Sequence, residues 1–162
     1  MKIVSFNINS VRARPHQLEH IRDTINPDVI GLQETKVNDP EFPIEVINEI
    51  GYHAEYWGQK GHYGVALLSK KKPLEVSKGF LKDTDEDQKR FIQGRYKFKN
   101  SDVLILNGYF PQGENRNHET KFPKKVKFYK DLKSHIKKLQ KSSSNIIVMG
   151  DFNVAPSGKD IG

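Results

Sequence analysis

The stretch 146-IIVMGDFNVAPSGKDIG-162 decides how this chain is read. Four apolar residues in succession, Ile146 to Met149, predict a strand buried within a sheet, and that strand delivers Asp151 and, two residues on, Asn153. A short carboxylate at the edge of a core loses hydration that apolar packing does not return, so Asp151 is expected to have polar partners or chemical work there. A tail rich in Pro and Gly follows.

Working outward from this strand, the rest of the chain alternates strands and helices. KIVSFNI (2–8) and DVIGLQE (28–34) predict strands, separated by a helix in RPHQLEHIRDTIN whose Leu18, Ile21 and Ile25 share one face and which Pro27 ends. A short helix is expected around Ile44 to Ile50. The runs YHAEYWG, YGVALLSK, PLEVSKG, RFIQGRYKF and DVLILNGYF follow closely. Their separators Gly-Gln-Lys-Gly, Lys-Lys-Pro and Lys-Asn-Ser-Asp are turn-like, so neighbouring runs are expected to pair as hairpins. PQGENRNHETKFP reads as a loop. Residues 123–141 read as the longest helix, with Val126, Tyr129, Leu132, Ile136 and Leu139 on its apolar face. This order predicts an α/β layered domain in which helices cover a mixed sheet.

The 162 residues are enough for one domain, taken as 1–162. No run approaches the roughly 18 apolar residues of a membrane span, and MKIVSFNINS lacks the apolar stretch of a secretory signal. The expectations are a cytoplasmic protein and no membrane partner. The absence of cysteine excludes disulfides and thiolate metal sites. A net charge of +7 favours a polyanionic partner, nucleic acid above all. Nine lysines lie between Lys121 and Lys141, whereas Asp83, Asp85, Glu86 and Asp87 form an acidic cluster best read as a solvated loop.

The strands end in residues that an apolar sheet would not choose: Asn7 and Asn9, Gln33 and Glu34, Asn107 and Tyr109, Asp151 and Asn153. In layered α/β proteins, strand ends and the loops after them are where sites are built, so one shared polar pocket is expected. Plainer readings stay open at this point. Asn7 can close a turn on its own backbone, Glu34 can begin an exposed loop, and Tyr109 can be a half-buried packing aromatic. Carboxylate and carboxamide oxygens without thiol or imidazole suit a hard cation such as Mg²⁺ or Mn²⁺, and such a cation on one or two carboxylates serves phosphoryl chemistry. A second carboxylate can then move a proton while amide or phenol donors stabilise charge on phosphorus oxygens. Two other patterns point elsewhere. His16-Gln17-Leu18-Glu19-His20 fits an inverse zinc-protease pattern but reads better as a solvated helix face. Gln59-Lys60-Gly61-His62 lacks phosphate-loop spacing and reads as a hairpin turn from which His62 could touch phosphate.

SFNINSVRARP, DVIGLQETK, YWGQKGHYGVALLSK, NGYFPQGENRNHETKFP and MGDFNVAP, in that order, resemble bacterial exodeoxyribonuclease III. That family belongs to the endonuclease/exonuclease/phosphatase superfamily, with abasic-site endonucleases and DNase I. The resemblance implies a four-layered, DNase I-like α/β sandwich, of which this chain supplies the N-terminal half or more. It further implies a Mg²⁺-dependent phosphodiesterase, with Mn²⁺ as possible substitute. The implied substrate is double-stranded DNA with abasic sites or 3′ ends. Carried over residue by residue, Glu34 and Asn7 match the metal pocket and Tyr109 the tyrosine on the scissile phosphate. Asp151 matches the proton-handling aspartate and Asn153 the amide that orients the site, both beside the metal. Arg90, His62 and the loop from Gln112 to His118 match DNA-contacting positions. The family continues through a further aspartate and a terminal Ser-Asp-His, so the chain looks truncated and is expected to be inactive without its C-terminal half. An uncovered apolar sheet face is expected as well. The alternatives are a DNA- or partner-binding half-domain without catalysis and, within the same superfamily, a lipid or inositol phosphatase.

Overall fold

A computed structural model describes residues 1–84, 86–143, 145–155 and 157. β1 (Ile3–Asn7) leads into helix α1 (Pro15–Ile25), which starts on a proline and ends at Asn26 in the left-handed conformation that closes helices. β2 (Val29–Gln33), α2 (Ile44–Glu49), β3 (His53–Trp57) and β4 (Val65–Ser69) follow. β5 (Glu75–Lys78), β6 (Phe91–Phe98) and β7 (Ser101–Tyr109) come next, then helix α3 (Lys121–Leu139) and β8 (Ile146–Asp151).

The strands form two four-stranded sheets, ordered β1-β2-β4-β3 and β5-β6-β7-β8. β1 runs parallel to β2 and β8 parallel to β7, while the other neighbours are antiparallel. Side chains alternate across a strand, and three apolar clusters divide by that parity. Ile30, Leu32, Ala66 and Leu68 pack outward under α1 and α2. Val29, Val65, Leu67, Ile92, Tyr96, Val103, Ile105 and Met149 fill the layer between the sheets. Leu104, Leu106, Phe91 and Phe110 pack outward under Phe128 and Leu132 of α3. The result is the four-layered α/β sandwich that the resemblance implies.

Three expectations are corrected. The Lys-Lys-Pro connection is not a hairpin: β4 is buried throughout with β2 and β3 on its two edges, so the chain crosses to the second sheet and begins β5 as an edge strand. The uncovered apolar surface is smaller than expected, because the two sheets face each other and helices lie on both outer faces; it is seen at the edge strand β8, where Ile147, on the inward parity of Met149, is 37% exposed. On α3, Phe128 takes the buried place expected of Val126, since its ring reaches Phe110 and Phe80 at 5.0 and 5.1 Å between centroids. The acidic run is partly structured, with Asp83 accepting the Phe80 N–H and Asp87 the Thr84 N–H; Asp85 lies outside the described residues. The Pro/Gly-rich tail beyond residue 157 also lies outside them.

Candidate active site across the two sheets

Residues 3, 5 and 7 of β1, the odd-numbered residues 29 to 33 of β2 and 103 to 109 of β7, and residues 149 and 151 of β8 share the parity that faces the inner layer. The inner layer is apolar at its centre and turns polar at the end where β1, β2, β7 and β8 finish. There the structure brings Asn7, Glu34, Tyr109 and Asp151 together. Asn7 Nδ2 donates to Glu34 Oε1 at 2.9 Å and to Asp151 Oδ2 at 3.0 Å. One amide therefore bridges two carboxylates, one from each sheet. The turn bond expected of Asn7 is present as well, its Oδ1 accepting the Asn9 N–H at 3.1 Å.

Glu34 reaches this cluster by a backbone device. It follows the last β2 residue with φ 54, in the left-handed region that non-glycine residues seldom adopt. Asn9, Ser10, Lys36 and Asn153 around it also have positive φ. The surrounding backbone holds the turn, with Ser10 N–H on the Glu34 carbonyl, Thr35 N–H on Gly64 and Lys36 N–H on Tyr63. Lys36 Nζ sits 2.9 Å from Glu34 Oε2 and donates to Asn9 Oδ1 at 2.6 Å. Burial raises the Glu34 pKa, but Asn7, Lys36 and Tyr109 offset it and leave the carboxyl below its ordinary value. The Tyr109 phenol, half-buried beside Glu34 with Asp151 near, is pushed up to about 12 by burial first and by the Glu34 carboxylate second.

Asp151 is fixed at both oxygens, since Oδ1 accepts the Asn153 N–H at 3.1 Å. Asn153 Nδ2 donates to the Phe110 carbonyl at 2.8 Å, pinning the turn beyond β8 to the end of β7. Arg90 stacks between the Tyr63 and Tyr109 rings, 4.5 and 4.6 Å from their centroids, and donates to the Tyr109 carbonyl and Gln88 Oε1. Burial lowers its pKa, yet a guanidinium stays charged. His62 is exposed at the tip of the 58–64 loop. Gln112 is exposed too, and Lys125 ties its carbonyl to that of Asn153. Among the described residues no hydrogen bond joins the side chains of His62 or Gln112 to the cluster.

Sequence reasoning missed Lys36 and Tyr63, which become neighbours of the site only through the turn at Glu34 and the loop folded back on it. It also placed Gln33 and Asn107 in the polar pocket. They lie instead inside the sandwich, 1% and 0% exposed: Asn107 stands two residues before the end of β7, and Gln33, the last residue of β2, turns inward to bond it. His16, Glu19 and His20 are exposed on α1, away from the buried Leu18 and Ile21. Among the described residues no group of three or more His, Cys, Asp or Glu could hold a metal ion. The donor set at the site is two carboxylates with carboxamides, the composition a hard cation accepts when water and substrate complete its shell.

The model of the endonuclease/exonuclease/phosphatase family matches residues 4–161. Exodeoxyribonuclease III of Haemophilus influenzae is 53% identical over 162 residues, covering 100% of this chain and 61% of that protein. A Neisseria 3′ phosphatase solved bound to product DNA hairpin superposes with TM-score 0.88 at 29% identity, covering 98% of this chain and 60% of that one. An AP endonuclease from Archaeoglobus fulgidus does so with TM-score 0.82 at 34% identity, covering 98% and 59%. The chain thus spans about three-fifths of the length of these relatives. With a match over nearly its whole length, the chain belongs to the endonuclease/exonuclease/phosphatase family.

Proposed function

We propose that this chain carries the site of a divalent-cation-dependent phosphodiesterase that acts on duplex DNA at abasic sites and 3′ ends. The observation that carries this reading is the Asn7 amide joining Glu34 and Asp151 across the two sheets. Glu34, with Asn7, Asp151 and Asn153 around it, would hold the cation, Mg²⁺ by donor chemistry with Mn²⁺ as substitute. The chemistry such a cation supplies when bound is charge neutralisation at the phosphate. Asp151, oriented at both oxygens, is the group that moves the proton in hydrolysis. Tyr109, kept protonated by a pKa of about 12, donates to a phosphate oxygen. Arg90 holds the Tyr109 ring in place and adds positive charge beside it. His62 and Gln112, on exposed loops, are placed to meet the DNA backbone. The lysines of α3 supply long-range attraction for a polyanion.

The similarity to exodeoxyribonuclease III and to a 3′ phosphatase solved with DNA supports this substrate class. Because the chain spans about three-fifths of its relatives, we expect the 162 residues alone to be insufficient for turnover. The test is incision of an abasic duplex by the protein expressed from its complete reading frame, with and without Mg²⁺. Mg²⁺-dependent nicking that falls about 10²–10⁴-fold in Asp151→Asn is the expected result. Undiminished nicking by Asp151→Asn, or hydrolysis of phosphoinositides in place of DNA, would overturn the reading.

A further inference from the structure

Asn107 has no exposed surface, yet its side chain is an amide in a largely apolar layer. It lies on β7, in the second sheet, and all of its polar atoms are engaged by the first. Nδ2 donates to the carbonyl of Leu32 at 2.9 Å and to that of Ala66 at 3.0 Å, residues that face each other across β2 and β4. Oδ1 accepts from Gln33 Nε2 at 2.6 Å. Gln33 Nε2 also lies within hydrogen-bond reach of Ser5 Oγ on β1 and the Gly31 carbonyl, at 3.2 and 3.0 Å. The linkage thus runs from β7 to β1, β2 and β4. Gly31 makes room for it, since a Cβ there would stand 2.3 Å from Met149 Cε and 2.9 Å from Asn107 Cγ.

An isosteric leucine would fill this space without the cost of desolvating an amide. The amide adds direction, which a leucine lacks: its bonds are satisfied at one separation and one register of the two sheets. That separation matters one rung further along. Gln33 is followed at once by Glu34, and Tyr109 stands two residues beyond Asn107 on the same face of β7, a rise of about 7 Å.

We propose that Asn107, with Gln33, is a positioning residue: an amide clamp between the sheets that holds Asn7 and Glu34 of one in register with Tyr109 and Asp151 of the other. The proposal rests on the reading of those four residues as one site. It is tested first without metal, by NMR measurement of proton exchange at the Asn7 side-chain amide, which the Glu34 and Asp151 carboxylates hold between them. Asn107→Leu is compared with Ile105→Ala, which loosens the same strand and the same layer through packing alone. Mn²⁺ titration of the same proteins is the second readout.

The expected result is exchange at Asn7 at least tenfold faster in Asn107→Leu, with Mn²⁺ affinity down about 10- to 100-fold, the range for groups that orient metal ligands. Ile105→Ala is expected to change neither by more than about twofold despite its own loss of thermal stability. Should Asn107→Leu fail to fold, Gln33→Met, which keeps the Asn107 bonds to the backbone, is expected to show a smaller change of the same sign. Unchanged exchange at Asn7 in the folded variants, or equal acceleration in Ile105→Ala, would overturn the clamp. If the exchange pattern holds while the wild-type chain binds no Mn²⁺, the metal reading fails and the clamp stands.

Discussion

Asn7, a residue whose bland reading is a turn-closing amide, does that and also joins two carboxylates. Its neighbours titrate in opposite senses. Glu34 has a folded pKa below its unfolded value, so its contribution to stability is present above about pH 4.3 and is lost as pH falls through the lower folded value. Glu34→Gln is therefore expected to flatten the acid limb of a stability–pH profile measured by denaturation. Tyr109 has a raised pKa, so its contribution is present below about pH 10 and is lost as pH rises through about 12. Tyr109→Phe is expected to remove one late-titrating phenol from the ultraviolet absorbance titration; an unchanged late phase would contradict that environment. The carboxylate and phenol at strand ends were legible as polar interruptions of apolar runs. The approach of Glu34 was not, because it depends on φ 54 at a residue whose identity does not announce it.

At the scale of elements, strand and helix order followed from apolar spacing, whereas partition into two sheets did not. Apolar alternation fixes which face a residue takes and is silent about which neighbour its strand pairs with, as the Lys-Lys-Pro crossover shows. The same silence put Asn107 in the pocket, since only the register of β7 against β8, with Asn107 opposite Met149, sets it a rung inside. Gly150 is read more directly: with φ 146 and a Cβ position 2.0 Å from the Gly108 carbonyl oxygen, it allows β8 to lie against β7. Gly150→Ala is expected to cost at least the roughly 1–3 kcal/mol of overpacking, measured by urea denaturation. Phe128 of α3, wedged against Phe80 and Phe110, is expected to cost about 3–5 kcal/mol when truncated to alanine. A loss under about 1 kcal/mol would mean that α3 is not anchored there.

For the whole molecule, the consequence of two stacked sheets is that the candidate site belongs to neither. Asn7 and Glu34 come from one sheet, Tyr109 and Asp151 from the other, and the Asn107 and Gln33 amides are bonded across the layer between them. Glu34 and Asp151 are expected to act as one cation site across that seam. The most direct measurement is calorimetric titration of the 162-residue chain with Mn²⁺, alongside Glu34→Gln and Asp151→Asn. One site is expected in the wild type, weakened at least tenfold by either substitution. Mn²⁺ binding indifferent to both substitutions would contradict it.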